Sequence, residues 1–174
     1  RGMAEAVTLM APDVILLGGD YIGGLGTQSQ YRWTSRPRRS ARDIGRDEAA
    51  LRALGQLRAR YGTFAVMGNH DCRWDCARMR EILAGVGIEV LSNSATEVER
   101  EDGTFWIAGL ADRQTEAPDF AAAISNIPEG AAVLALMHSP HLFDYPENHF
   151  PIQFTGHTHG GQVRFPIIGA PLRL

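Results

Sequence analysis

The octapeptide 64–71, Phe-Ala-Val-Met-Gly-Asn-His-Asp, joins four apolar residues directly to a glycine and three polar residues. A short continuous apolar run that ends at turn residues is typical of a strand buried on both faces. The glycine then allows the chain to turn sharply as it leaves the strand. The octapeptide therefore predicts a buried strand whose carboxyl end carries Asn69, His70 and Asp71.

Three other segments repeat this arrangement, in which an apolar run ends at a side chain of a metal-ligating type. The segments are Val14–Asp20, Val133–His138 and Ile152–His159. In α/β folds, ligands bind outside the carboxyl ends of the strands. We therefore expect one carboxylate, one amide and two imidazoles to converge there, namely Asp20, Asn69, His138 and His157.

Helix-type and strand-type patterns alternate along the rest of the chain. The segment Asp47–Arg60 has helical periodicity, with Leu51, Leu54 and Leu57 on its apolar side and its first residue as the N-cap. Asp102-Gly103 lies between two β-prone runs and predicts a hairpin. Further predicted elements are Met3–Met10, Cys76–Leu83, Ile88–Leu91, Glu97–Arg100, Phe105–Leu110, Phe120–Ile124 and Gln162–Phe165. The alternation favours one layered α/β domain over residues 1–174 with mixed strand directions.

The composition is that of an ordinary globular domain. Its 174 residues are 44% hydrophobic and 21% charged, which is enough to bury a sizeable core. The net charge of -3 gives no global basic field, so nucleic acid is an unfavourable partner. The chain contains no lysine, which excludes Schiff-base chemistry and a phosphate-binding P-loop.

The segment 24–46 is rich in arginine and is predicted to be a long loop. Its arginines are Arg32, Arg36, Arg38, Arg39, Arg42 and Arg46, with Tyr31 and Trp33 among them. We favour a solvated surface, since charge runs usually have that role. Recognition of an anionic substrate or lipid headgroup is the second interpretation, because arginine binds phosphate with two parallel hydrogen bonds. Nucleic-acid binding is the third, and the acidic balance of the chain opposes it.

Cysteine usage and hydropathy bear on the compartment. Cys72 and Cys76 are too few for a disulfide framework, so we expect a reduced pair on one helical face. The longest apolar run, Ala131–Met137, is far too short to cross a bilayer. These features favour a cytoplasmic protein or one peripheral to the membrane. Arg1 is not an initiator residue, so an upstream targeting segment is compatible with the sequence.

The four strand-end side chains suit a particular class of ion. Carboxylate, amide and imidazole ligands favour Mn, Fe or Zn over Cu(I) or a site made of oxygen ligands alone. His70 follows a ligand and should project differently from it, with Asp71 orienting its ring. His159 lies two residues beyond His157, about 7 Å along an extended chain, which suits two neighbouring ions.

These motifs resemble those of the calcineurin-like metallophosphoesterases, and most of all the bacterial YkuE/YaeI-type phosphodiesterase branch. That branch ends in Gly-His-Thr-His-Gly-Gly-Gln, which stands here at residues 156–162. The resemblance covers residues 12–166 and implies a β-sandwich flanked by helices. It also implies two divalent metal ions and attack of a metal-bound hydroxide on the phosphorus of a phosphodiester, from a small molecule or a lipid headgroup.

The resemblance further implies a role for each matched residue. Asp20 corresponds to the ligand that bridges the two ions. Asn69, His138 and His157 correspond to the other ligands of the second metal, and His159 to a ligand of the first. His70 corresponds to the histidine near the leaving group, with Asp71 as its partner.

The sequence departs from the family at its first motif. That motif, Asp-x-His on an opening strand, has no counterpart here, so the first metal keeps only Asp20 and His159. We therefore expect an N-terminally truncated fold that lacks its first strand. A mononuclear or defective site that binds metal or phosphate without turnover is the alternative. The missing strand would expose a sheet edge at Val14–Leu17, through which the chain would form homo-oligomers.

Overall fold

The structure is a computed structural model that describes residues 2–22 and 41–159. Within those residues the chain forms four α-helices and seven β-strands. The helices are α1 (Met3–Leu9), α2 (Ala41–Ala53), α3 (Asn69–Gly85) and α4 (Phe120–Ile124). The strands are β1 (Ile15–Leu17), β2 (Thr63–Ala65), β3 (Ile88–Val90), β4 (Ser94–Arg100), β5 (Gly103–Gly109), β6 (Val133–Met137) and β7 (Ile152–Thr155). Two short 3-10 helices cover Leu54–Gln56 and Pro140–Asp144.

The strands form two sheets, which confirms the predicted α/β class with mixed strand directions. One sheet is parallel, in the order β1-β2-β3. The other has the order β4-β5-β6-β7, with β4 and β5 antiparallel and the remaining pairs parallel. The β4–β5 pair is the hairpin that Asp102-Gly103 predicts.

The two sheets face each other across an apolar layer. Phe64 of β2 shares one buried cluster with Val98, Ile107 and Leu136, which belong to β4, β5 and β6. Burying one such side chain stabilises the fold by about 1.5–3 kcal/mol. This shared layer makes the arrangement a sandwich and brings the carboxyl ends of β1, β2, β6 and β7 to one end of it.

Helices cover both outer faces of the sandwich. Leu51 of α2 and Met79 and Leu83 of α3 pack in one cluster on the parallel sheet. On the other side, Phe120 of α4 packs with Ala135 of β6. The helices therefore hold each sheet from outside, so that the strand ends are fixed relative to one another.

The helix predicted over Asp47–Arg60 has different bounds. It begins at Ala41, so Asp47 lies inside α2 and is not its N-cap. It ends at Ala53, and the backbone is extended at Leu57. The prediction followed apolar periodicity, which the exposed first turn does not show. The arginine-rich segment 24–46, which was predicted to be a loop, is therefore helical from Ala41 onwards. Its residues 24–40 lie outside the described part of the chain, and so does the predicted strand Gln162–Phe165.

The helix predicted over Cys76–Leu83 begins seven residues earlier in the structure, at Asn69. The carboxylate of Asp71 accepts a hydrogen bond from the backbone N–H of Gly68 at 2.8 Å, which closes the first turn. The expectation of reduced cysteines is wrong, since Cys72 and Cys76 form a disulfide in the structure. Positions four apart lie on one helical face, and the backbone leaves helical geometry between them at Asp75.

Strand β1 lies at the edge of the parallel sheet, with β2 as its hydrogen-bonded neighbour among the described residues. An edge strand can pair with another chain. Self-association through Ile15–Leu17 therefore stays a prediction. None of the helices in residues 2–22 and 41–159 has the length and apolar character that a membrane span requires.

Candidate metal centre

Four of the predicted ligand side chains meet at the carboxyl ends of β1, β2, β6 and β7. His138 Nε2 lies 3.2 Å from Asn69 Oδ1, 3.3 Å from Asp20 Oδ2 and 3.0 Å from His157 Nδ1. Ligand atoms of Asp20, His138 and His157 all fall within 4.8 Å of one another. The structure therefore brings together residues that are up to 137 positions apart in sequence, counted from Asp20 to His157.

Close backbone approaches place the four strand ends side by side. Gly156 N–H donates a hydrogen bond to the carbonyl of His138 at 3.0 Å, which fixes β7 against β6. A β-carbon at Gly18 would lie 3.5 Å from the backbone nitrogen of Gly156, so β1 and β7 nearly touch there. Asp20 and His157 have positive φ angles of 59° and 67°. Such backbone strain in residues with side chains is concentrated at functional sites.

The imidazole of His138 is held in a defined orientation. It is fully buried, and its Nδ1 lies 2.7 Å from the carbonyl oxygen of Gly18. A proton on Nδ1 donates to that carbonyl, which leaves Nε2 as the atom that faces the cluster. Burial acts against the charged ring, but hydrogen bonds to Asp20 and Gly18 outweigh it and raise the pKa of His138.

Asp20 is held in its charged form. Its half-buried position acts to raise its pKa, but hydrogen bonds from His138 and from the backbone N–H of His70 outweigh burial and lower the pKa. The second of these bonds is 3.0 Å long and comes from the first turn of α3. Burial, followed by the nearby His138, lowers the pKa of His157. The site thus combines a carboxylate with an imidazole that favours its neutral, metal-binding form.

Asp71 has partners other than the predicted one. Its carboxylate accepts hydrogen bonds from the backbone N–H groups of Asp20 at 2.7 Å, Tyr21 at 2.9 Å and Gly68 at 2.8 Å. None of the hydrogen bonds among the described residues joins it to the ring of His70. As the third residue of α3, Asp71 points back to the N-cap. It therefore holds the loop after β1 against the loop after β2.

His159 was predicted as a ligand of the first metal and lies outside the cluster that corresponds to the second, so its assignment stays a prediction. Its side chain is exposed, and its φ of 51° turns the chain away from an extended path. The prediction of two histidines on the same side of an extended segment assumed no such turn. The four side chains that the structure does bring together, those of Asp20, Asn69, His138 and His157, surround one position.

The donor set fits a cation on physical grounds. When His138 is neutral, with its proton on Nδ1 toward Gly18, its Nε2 carries a lone pair and faces other acceptor atoms. A carboxylate oxygen, an amide oxygen and a second imidazole nitrogen crowded around a lone pair repel one another unless a positive charge sits among them. One oxygen from Asp20, one from Asn69 and two imidazole nitrogens are ligands typical of Zn, Mn or Fe.

Asp112 is a buried acidic residue that the sequence analysis missed. Its side chain is 1% exposed, and among the described residues its Oδ2 has no hydrogen-bond partner. It follows β5, which pairs with β6, and its charge acts to raise the pKa of both His138 and His157. Asp112 follows the apolar end of β5, so the same strand-end pattern could have found it. The run Phe105–Leu110 was interpreted as one strand of a hairpin, and the acidic residue after its carboxyl end was not singled out.

Gly68 lines the cluster, and replacing it with alanine is expected to weaken metal binding by at least about tenfold. Its φ of -93° suits any residue, so backbone strain is not the reason. The added β-carbon would collide with the Asp20 carboxylate and would lie 2.8 Å from Cε1 of His138. Isothermal titration of the metal-free protein with Mn²⁺ or Zn²⁺ measures the change.

Gly85→Ala is the matched control, because a β-carbon there meets nothing within 4 Å at the other end of the same helix. It should leave metal affinity unchanged. Equal affinities for both variants would show that Gly68 does not border the ion.

Comparison with protein families places the motifs in a known context. The sequence model described as calcineurin-like phosphoesterase matches residues 4–161. The match includes every residue of the four-ligand cluster. It therefore spans both sheets and the strand ends described above.

Curated proteins from bacteria and from a vertebrate are similar over most of the chain. The uncharacterized metallophosphoesterase YkuE of Bacillus subtilis is 28% identical over 164 residues, 91% of this chain and 51% of the relative. Phosphodiesterase YaeI of Escherichia coli is 31% identical over 180 residues, 97% of this chain and 58% of the relative. A Danio rerio transmembrane protein with a metallophosphoesterase domain is 30% identical, over 95% of this chain and 37% of its own length. The chain thus spans about half the length of the bacterial relatives.

Proposed function

This chain belongs to the calcineurin-like phosphoesterase family, and from that premise we propose that it hydrolyses a phosphodiester at the four-ligand cluster. The observation that supports the proposal most strongly is the convergence of Asp20, Asn69 and His157 on Nε2 of His138, at 3.0–3.3 Å. The similarity to phosphodiesterase YaeI of Escherichia coli supports a diester as the substrate class. The substrate would be a small molecule or a lipid headgroup.

The four ligands would hold one divalent transition-metal ion, and the family expectation of a second ion has less support here. When bound, the ion supplies Lewis-acid chemistry and activates water for attack on phosphorus. The described residues place four side chains around one position, whereas only Asp20 and His159 of the family's ligands to the other metal have counterparts, so a single ion is favoured. Mn, Fe and Zn all suit the donor set.

The chain's own groups prepare the site for an anionic ester. Asp71 holds the backbone of Asp20 and Gly68 in place through hydrogen bonds of 2.7 and 2.8 Å, which makes it a positioning residue. Helix α3 begins at Asn69, beside the cluster, and the amino end of a helix favours negative charge. These features orient a phosphate at the ligand side chains.

His70 would supply the proton for the leaving group. Its backbone N–H donates to Asp20 at 3.0 Å, and its side chain is partly exposed beside the cluster. As the water releases one proton to solvent and its oxygen bonds to phosphorus, the bond from phosphorus to the leaving oxygen breaks, and that oxygen takes the proton of His70. Such general acid help is worth about 10²–10⁴-fold in rate.

Metal loading followed by a hydrolysis assay tests the proposal. The metal-free protein is loaded separately with Mn²⁺, Fe²⁺ and Zn²⁺, and elemental analysis gives the ions bound per chain. We expect one ion per chain and hydrolysis of bis(p-nitrophenyl) phosphate that is lost with a chelator and restored by the metal. The diester should be cleaved faster than the monoester p-nitrophenyl phosphate.

A different result would favour the alternative function. Stoichiometric metal binding without hydrolysis of either ester would support a domain that binds metal or phosphate without turnover. The single-ion geometry is the observation that favours this alternative. Two ions per chain with high turnover would instead show that further ligands exist.

A further inference from the structure

A cavity of about 360 Å³ adjoins the metal centre, and the proposed reaction does not account for it. Asn69 lines it, so the cavity shares one residue with the four-ligand cluster. Its walls are one face of α3 and the segment Gln114–Glu116, which precedes α4. A cavity of this size accommodates a substituent much larger than the phosphoryl group itself.

One face of α3 supplies the polar wall of this cavity. Asn69, Arg73 and Arg80 line it. Asn69 and Arg73 are four residues apart on the same side of the helix, whereas Arg80 lies beyond the departure from helical geometry at Asp75. Arg73 therefore lies one helical turn beyond the ligand Asn69. A group attached to a phosphate at the metal centre would reach Arg73 before it reaches Arg80.

The two arginines differ in the partners of their guanidinium groups. Arg80 lies 3.5 Å from Glu116, whose carboxylate also accepts a hydrogen bond from Ser92 at 2.8 Å. Arg73 donates to the neutral side-chain oxygen of Gln114 at 3.2 Å, and none of the carboxylates in the described residues forms an ion pair with it. The cavity thus presents one exposed guanidinium whose charge is not neutralised by a carboxylate.

We propose that this cavity is a specificity pocket for a second anionic group, such as a phosphate, on the ester's substituent. The inference rests on the proposed phosphodiester hydrolysis and narrows its substrate class. Arg73 binds the second anion, and Gln114 holds the guanidinium in position. Arginine suits this role because its planar group can offer two parallel hydrogen bonds to phosphate.

The test compares two p-nitrophenyl esters that differ by one phosphate. One is the p-nitrophenyl ester of thymidine 5′-phosphate, and the other carries an additional phosphate on the 3′ oxygen. We expect the metal-loaded chain to have a higher kcat/KM for the second ester. Arg73→Gln should reduce that advantage by about 10- to 100-fold, mainly through KM, because one charge-assisted contact to bound substrate is lost.

Arg78→Gln is the matched control on the same helix. It removes the same charge, but Arg78 pairs with Glu48 at 3.0 Å and does not line the cavity. The preference for the additional phosphate should survive this change. Equal kcat/KM values for the two esters in the unmodified chain would contradict the proposed pocket for a second anion and would leave the proposal of phosphodiester hydrolysis intact.

Failure of the proposed reaction is distinguishable from failure of the pocket. If neither ester is hydrolysed, the proposed function fails. Calorimetric titration of the metal-loaded chain with thymidine 3′,5′-bisphosphate then tests whether the pocket binds the second phosphate. Weakening of that binding by about tenfold or more in Arg73→Gln, and not in Arg78→Gln, supports the inference. Equal binding to all three proteins, or no binding to any, contradicts it.

Discussion

His138→Ala is expected to remove metal binding and to lower phosphodiester hydrolysis by at least about 10³-fold, which corresponds to about 4 kcal/mol of transition-state stabilisation. Nε2 of His138 is the atom on which the other three ligands converge, within 3.3 Å. Removing the ring takes away one ligand and also leaves the carbonyl of Gly18 without its 2.7 Å partner. Elemental analysis and initial rates on bis(p-nitrophenyl) phosphate measure the two effects.

The design must separate loss of the ion from loss of the fold. His138 is fully buried, so its removal also creates a cavity and lowers stability. Asp20→Asn offers a second variant, because it keeps the volume of a half-buried side chain and removes only the charge. Both variants should lose the metal, whereas His149→Ala, at an exposed histidine, should keep it. Full metal occupancy in folded Asp20→Asn would contradict the ligand set.

His70→Ala is expected to lower kcat by about 10²–10⁴-fold for a diester with a poor leaving group, while metal content stays within about twofold. The ring of His70 is not part of the ligand cluster, although its backbone N–H contacts Asp20 at 3.0 Å. A 2′,3′-cyclic nucleotide, whose leaving group is an alkoxide, is the appropriate substrate. Comparison of kcat with metal content for both proteins gives the result.

The leaving group provides an internal control for this role. p-Nitrophenolate leaves readily without a proton, so the defect of His70→Ala should be much smaller for a p-nitrophenyl diester. Equal defects for both substrates would mean that His70 stabilises the phosphorane charge and does not act as an acid. Loss of metal in proportion to loss of activity would reassign His70 as a ligand.

The strands of the site could be predicted because their signal is local. A run such as Val133–Met137 is apolar throughout, and β6 has those same bounds in the structure. Burial on both faces requires such a run, and the polar residue that follows marks the end of the strand. The helix Phe120–Ile124 and the β4–β5 hairpin were predictable for similar reasons, since a cap residue or a turn sequence is part of the segment itself.

Partners of side chains were less predictable, because they depend on contacts between distant segments. Asp71 was expected beside His70, its neighbour in sequence, but it lies at the start of α3 and binds the loop that follows β1. The disulfide between Cys72 and Cys76 depends on a local departure from helical geometry at Asp75 that the residue types do not indicate. Asp112 comes to the same sheet edge as His138 through the pairing of β5 with β6, which the residue types do not indicate.

The sequence by itself determined the identities and order of Asp20, Asn69, His138 and His157, since each follows an apolar run that must be a buried strand. The tertiary structure decided their distances, and it placed His159 outside the cluster through a left-handed turn in the backbone. It also decided that Arg73 faces a cavity with no carboxylate partner among the described residues. Strand ends are fixed by local burial, whereas the packing of one sheet on the other fixes which side chains meet.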